Sequence, residues 1–163
     1  MPVTYDNIAT QTLTSAATSI TFNSLPTTYT DLRIILSAFN GGGQQLYLRF
    51  NSDSGNNYGY TDMIGNGATA TADEAGSAAS FVMHYNGLDT SLPTLVPIDI
   101  FAYRGATNKT VLYSWNADRN GAGYIKWSVG RWGSTSAITS ITLSSDGNFA
   151  VNTSATLYGI KNA

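Results

Sequence analysis

Few side chains in this sequence are equipped for chemistry, and one loop holds the densest group of them. Residues 51–57 read Asn-Ser-Asp-Ser-Gly-Asn-Asn, which spaces oxygen-bearing side chains at alternate positions, as loops that bind a hard cation such as Ca²⁺ do. The loop has a single carboxylate, Asp53, and no bidentate acid follows it. We therefore interpret it as a polar turn of the kind that Asn, Asp and Gly favour, with calcium binding as the alternative.

The other candidates for catalysis are scattered. His84, the one histidine, has no nearby Cys or carboxylate to orient it, so we interpret it as a packing or interface residue. Asp73 and Glu74 are adjacent, and adjacent side chains on a strand or loop point apart. A glycosidase needs two carboxyl groups across a cleft. It would have to draw them from Asp53, Asp62, Asp73, Glu74, Asp89, Asp99 and Asp118. The sequence predicts no catalytic residue and no enzyme.

Composition argues against several classes of ligand. Eight Lys and Arg against ten Asp and Glu give a net charge of −2 without a run of one sign, so we predict no nucleic-acid partner. The chain has no Cys, and we predict no metal and no cofactor. No apolar run approaches the roughly 20 residues that span a bilayer, and the N-terminus lacks the pattern of a signal peptide, so we predict no membrane partner. Only 11% of residues are charged, a pattern common in proteins that pack against copies of themselves.

Apolar and polar residues alternate with period two along most of the chain, which predicts β-strands. The clearest case is residues 32–39 and 46–50, separated by Gly41-Gly42-Gly43, which predict an antiparallel hairpin with one buried face. Further alternating runs occupy residues 18–22, 81–85, 95–103, 110–115, 124–132, 138–143 and 155–160. Short strands with regular turns predict an all-β fold: one antiparallel, jelly-roll-like β-sandwich domain over residues 1–163, with an up-and-down barrel as the alternative.

Two segments offer little to bury. Residues 65–79 have low complexity and almost no large side chain, which predicts a long exposed loop or an arm laid on a neighbouring subunit. Residues 1–15 are interpreted as an N-terminal arm. Residues 17–22 and 138–143 share a Ser/Thr/Ile pattern, and two strands of such similar patterning could pair as neighbours.

Aromatic and basic side chains concentrate between residues 113 and 132. Alternation over residues 124–132 separates Trp127 from Trp132, and we predict Trp132 to be the more exposed of the two. Core packing, a subunit or partner interface and a sugar-stacking platform all use such residues, and these interpretations stay open. The interface candidates are Tyr113, Trp115, Arg119, Lys126 and Trp132.

Three segments resemble, in order, a recurrent module in virion proteins of tailed bacteriophages. They are residues 19–34 (SITFNSLP, then YTDLRI), residues 48–58 (LRFNSDSGNNY) and residues 140–160 (SITL, then ATLYGI). The resemblance covers the chain from about residue 18 to residue 160. It implies a jelly-roll-like β-sandwich at the particle surface, usually in a symmetric oligomer, and it brings no catalytic residues.

The function that this resemblance implies is structural. We expect a non-enzymatic capsid decoration (cement) protein that binds the outer shell of a phage particle and stabilises it by bridging capsomers. Its partners would be the major capsid protein or other virion proteins and copies of itself, a homotrimer being preferred because it suits threefold positions of the shell. Its place would be the virion surface, after assembly in the host cytoplasm. The alternative is a tail or head fibre or appendage protein that binds a host receptor or surface glycan. We prefer the decoration hypothesis because the chain ends within a few residues of its last predicted strand, which is typical of a free-standing module.

Overall fold

A computed structural model describes residues 5–43, 45–83, 87–118 and 120–161, and in it two antiparallel β-sheets face each other. These ranges contain no helix that is long and apolar enough to cross a membrane. The all-β, single-domain β-sandwich predicted from the sequence is confirmed. The described residues form the strands β1 (Tyr5–Thr12), β2 (Ala17–Phe22), β3 (Asp31–Ala38), β4 (Leu46–Phe50), β5 (Tyr58–Gly65), β6 (Ala70–Ala78), β7 (Phe81–Val82), β8 (Thr94–Phe101), β9 (Lys109–Ala117), β10 (Tyr124–Trp132), β11 (Ile141–Phe149) and β12 (Ser154–Ile160).

The two sheets differ in size. The larger has eight strands in the order β1-β12-β3-β8-β9-β10-β5-β6, and the smaller has four in the order β2-β11-β4-β7. The chain crosses repeatedly from one sheet to the other, which is the jelly-roll-like feature of the fold. The two segments with a shared Ser/Thr/Ile pattern do pair, since β2 lies beside β11 with Ile20 opposite Leu143.

The hairpin predicted from residues 32–50 does not form. Both strands exist, and each buries alternate residues as the pattern requires. However, β3 pairs with β12 and β8 in the larger sheet, whereas β4 pairs with β11 and β7 in the smaller one. Alternation reports which face of a strand is buried and not which strand is its neighbour, so a strand pair within one sheet and a pair that faces across the core give the same pattern.

The two segments interpreted as arms are largely the two edge strands of the larger sheet. Residues 5–12 form β1, which pairs with β12 from Tyr5 opposite Ile160 to Thr12 opposite Ser154. Residues 70–78 form β6, which pairs with β5. Most of β6 is exposed, as expected for residues 65–79, but it is a strand and not a loop. Main-chain hydrogen bonds to β5 hold this segment, and such bonds do not require large side chains.

An aromatic cluster joins the two sheets. The ring of Phe50 on β4 lies 5.5 Å from that of Trp132 on β10, and Phe81 on β7 lies 5.0 Å from Tyr58 on β5. Gly130 on β10 makes this approach possible, because a Cβ atom there would lie 2.5 Å from the Phe81 ring. Edge-to-face aromatic contacts add stabilisation beyond the area that they bury.

Candidate functional site

The interface candidates described by the structure lie in the core and not at the surface. Trp115 is 1% exposed, Lys126 and Trp132 are 2% exposed, and Tyr113 is 4% exposed. Arg119 lies outside the described residues, as does His84. The interface assignment is therefore wrong for these four side chains, and core packing, the interpretation left open beside it, accounts for them.

The exposed tryptophan of β10 is Trp127 and not Trp132. Alternation separates the two correctly, but Trp127 is 64% exposed and Trp132 faces the smaller sheet. The polar end of Trp132 has a partner inside, because its indole N–H donates to Asp53 Oδ2 at 2.7 Å. Lys126 shares the buried face, and its Nζ lies 2.7 Å from Asp62 Oδ2. Lysine side chains are usually exposed, so Lys126 favours the prediction that its face of β10 lies at the surface. That prediction is wrong, because the buried partner of Lys126 cannot be identified from the sequence.

Exposed apolar side chains collect on the outer face of the larger sheet, and we call this group the outer patch. Its exposed fractions range from 44% to 72%. Trp127 lies opposite Met63 in the strand register, and Val129 lies opposite Leu112. Contiguous exposed apolar surface of this kind marks a site of interaction. The outer patch consists of Met63 on β5, Leu112 on β9, and Ile125, Trp127 and Val129 on β10.

A concavity of about 240 Å³ adjoins the outer patch. Trp127 and Leu112 line it together with the more polar Arg33, Asp99 and Ser114. Arg33 Nε lies 3.5 Å from Asp99 Oδ1, and both side chains remain about one-third exposed, at 35% and 28%. Burial raises the pKa of the Asp99 carboxyl, and the Arg33 charge opposes this effect without cancelling it. An aromatic face beside hydrogen-bonding groups is an arrangement that protein interfaces and sugar-binding platforms both use.

The loop at residues 51–57 is held by protein donors. Asp53 Oδ1 accepts the Gly55 N–H at 2.9 Å, and Asp53 Oδ2 accepts hydrogen bonds from Asn57 Nδ2 at 2.9 Å and from the Trp132 indole. In the part of the chain that the structure describes, no three His, Asp or Glu side chains come together as a metal site would require. The contacts of Asp53 are those of a polar turn that also anchors a core tryptophan.

Protonation of Asp53 is expected to destabilise the fold. Desolvation acts to raise the pKa of this carboxyl, but the hydrogen bonds from Trp132, Asn57 and Gly55 outweigh it, and the pKa is lowered. A group with a lowered folded-state pKa contributes stability above its unfolded value of about 3.9, and the contribution is lost as the pH falls through the folded value. Denaturant unfolding should therefore show stability declining below about pH 4, with a smaller decline in Asp53→Asn. An identical pH profile in the variant would contradict this role for Asp53.

The outer patch and its concavity thus form the candidate site, which contains none of the interface candidates predicted from the sequence among its exposed apolar side chains. The chain matches no family model, and no curated protein or solved structure is significantly similar to it.

Proposed function

We propose that this chain is a non-enzymatic structural protein of a phage particle, a capsid decoration protein that binds the outer shell and bridges capsomers. The observation that carries the proposal is the outer patch, because a large apolar group on the outside of a folded domain is a binding surface. The β-sandwich fold and the three segments that resemble phage virion modules support the same interpretation.

The outer patch is suited to a protein partner. Full burial of a large apolar side chain contributes about 1.5–3 kcal/mol before the costs of association. Trp127 and its neighbours stand on strands that are hydrogen-bonded on both sides, so little backbone freedom is lost when a partner docks. Thr61 and Thr110 lie exposed on the same face and can bind interfacial water. The patch thus combines a central aromatic anchor with a polar rim, which includes these threonines and the charged Arg33 and Asp99 of the adjoining concavity.

In this proposal the protein is a homotrimer at the virion surface, and its partners are the major capsid protein and other virion proteins. We place the contact with the shell on the outer patch. Three linked copies would engage three lattice positions at once, so a modest contact in each copy gives strong overall binding. A trimer also matches the threefold positions of an icosahedral shell.

Cosedimentation of the purified protein with phage capsids that lack it tests the proposal. We expect saturable binding at a copy number set by the lattice. Trp127→Ser should weaken binding about 30-fold or more, as expected for a central aromatic anchor worth at least about 2 kcal/mol. Leu112→Ser should also weaken it.

A matched control is available for this experiment. Leu92 is 43% exposed and lies outside the outer patch, whereas Leu112 is 44% exposed and lies within it. Leu92→Ser should therefore leave capsid binding unchanged. Absence of capsid binding by the wild type, or equal effects of the two leucine substitutions, would refute the proposed contact surface.

The concavity favours a second candidate, a fibre or appendage protein that binds a surface glycan. Trp127 would stack on a sugar ring while Arg33 and Asp99 bind its hydroxyl groups. In this case the protein should cosediment with intact host cells and not with capsids. Asp99→Ala should then abolish binding, while Ile125→Ser, outside the concavity lining, should preserve it.

A further inference from the structure

A buried pair of opposite charges lies between the sheets, on the inner side of the larger sheet. Lys126 on β10 and Asp62 on β5 are 2% and 1% exposed. Asp62 lies opposite Ser128 in the register, two residues along β10 from Lys126, so the two side chains meet diagonally on one face. Their closest atoms, Nζ and Oδ2, are 2.7 Å apart. Such a pair costs free energy to desolvate and needs every remaining polar atom to be satisfied.

The polar atoms around this pair are not all satisfied. Asp62 Oδ1, Tyr113 Oη and Ser128 Oγ are buried and make no hydrogen bond of good geometry, although the Tyr113 hydroxyl lies close enough to Asp62 and Ser128 to interact with both. Lys126 Nζ donates to the Val82 carbonyl at 2.8 Å, and its other surroundings are the rings of Tyr60 and Tyr113, at 5.4 and 5.7 Å. Desolvation lowers the pKa of Lys126, and the nearby carboxylates only partly oppose this. Burial therefore favours the neutral amine of Lys126 more than solvent does.

We propose that Lys126 and Asp62 form an intramolecular amide (isopeptide) bond across β10 and β5. The proton that they share first passes from Nζ to the carboxylate, which leaves a neutral amine beside a neutral acid. The amine nitrogen then attacks Cγ of Asp62, so that the C–N bond forms and the C–OH bond breaks. The hydroxyl leaves as water with a proton from the nitrogen. One amine and one acid become one amide and one water, and nothing is oxidised or reduced.

Asp73 on β6 is assigned as the proton carrier of this step. It lies directly opposite Asp62 in the β5–β6 register, and its charge acts on Lys126. Its carboxylate would accept the proton from the attacking nitrogen and deliver it to the leaving hydroxyl. The Asp73 side chain itself is exposed to solvent.

The same molecule contains two internal comparisons. Lys161 and Asp6 form another Lys–Asp pair at 3.0 Å, but Lys161 is 49% exposed, and water keeps both groups ionised. Lys109 is fully buried, but its Nζ donates to the backbone carbonyls of Gly105 and Thr107 and has no carboxylate partner among the described residues. The amide is expected only where burial and a carboxyl group coincide.

Intact-mass measurement of the purified full chain tests the proposal. The wild type should weigh less than its sequence by the mass of one water molecule, and a protease digest should yield one branched peptide that links Lys126 to Asp62. Asp62→Ala and Lys126→Met should have their full sequence masses. Asp73→Asn should fold, as judged by circular dichroism, and should have its full sequence mass because the amide does not form. The peptides that contain Asp6 and Lys161 should stay separate.

Two outcomes would overturn the proposal. One is a wild-type chain at its full sequence mass, with Lys126 and Asp62 recovered in separate peptides. The other is a loss of water that persists in Asp62→Ala, because it would come from elsewhere, for example from ring closure at Asp146-Gly147. If a folded Asp73→Asn variant loses water as the wild type does, the role assigned to Asp73 is wrong.

Discussion

Replacement of Trp132 by alanine should lower the free energy of unfolding by about 3–5 kcal/mol, the range found for truncation of large buried aromatic side chains. The indole is 2% exposed and packs against Phe50 and Tyr58, with ring centroids 5.5 and 6.5 Å away. The substitution leaves a cavity between the sheets and also removes the N–H that donates to Asp53. Equilibrium unfolding in guanidinium chloride measures the loss.

Trp127 provides the matched control for this prediction. It is on the same strand and loses the same atoms on substitution by alanine, but it is 64% exposed on the opposite face. Trp127→Ala should change stability by no more than about 0.5 kcal/mol, as surface substitutions usually do. Equal losses in the two variants would mean that the two faces of β10 have been assigned wrongly.

Lys126→Met should be less stable than the double variant Lys126→Met/Asp62→Leu by about 3–5 kcal/mol, because the single substitution leaves a buried carboxyl group without its cation. Asp62 is 1% exposed, and its Oδ1 already lacks a hydrogen-bond partner. The second substitution removes the stranded group and fills its space with an apolar side chain. Paired denaturation curves give the difference.

The difference in stability between the two variants measures the cost of leaving the Asp62 carboxyl group buried without Lys126. Neither variant can form the proposed amide, so the cross-link contributes to neither curve. Both variants carry methionine in place of Lys126, and they differ from each other only at position 62. If the double variant is no more stable than the single one, the carboxyl group of Asp62 does not destabilise the fold when Lys126 is absent.

Much of the fold could be predicted from the sequence because strand formation depends on a local pattern. Residues 32–38 and 46–50 alternate as a half-buried strand must, and the structure confirms both strands. Their partners could not be predicted, because partner choice depends on side chains far away in the sequence. β3 is fixed between β12 and β8, and β4 is fixed between β11 and β7.

The candidate site could not be predicted because β10 reverses the usual rule for burial. Its exposed face carries Ile125, Trp127 and Val129, and its buried face carries Lys126 and Ser128. Assigning the more apolar face to the interior is correct for most strands, since apolar burial stabilises the fold. A place where consistent sequence rules fail is often a functional site, and the reversal on β10 coincides with the outer patch.

The pairing of β1 with β12 also determines when the newly made chain can finish folding. β1 leaves the ribosome well before its hydrogen-bonding partner, which spans residues 154–160. At a synthesis rate of about 5–20 residues per second, β1 waits on the order of ten seconds for that partner. β2 with β11, and β5 with β10, are also distant in sequence, a topology that folds in milliseconds to seconds even once the chain is complete. Among the strands that the structure describes, β1 thus stays open longest to wrong pairing with other copies.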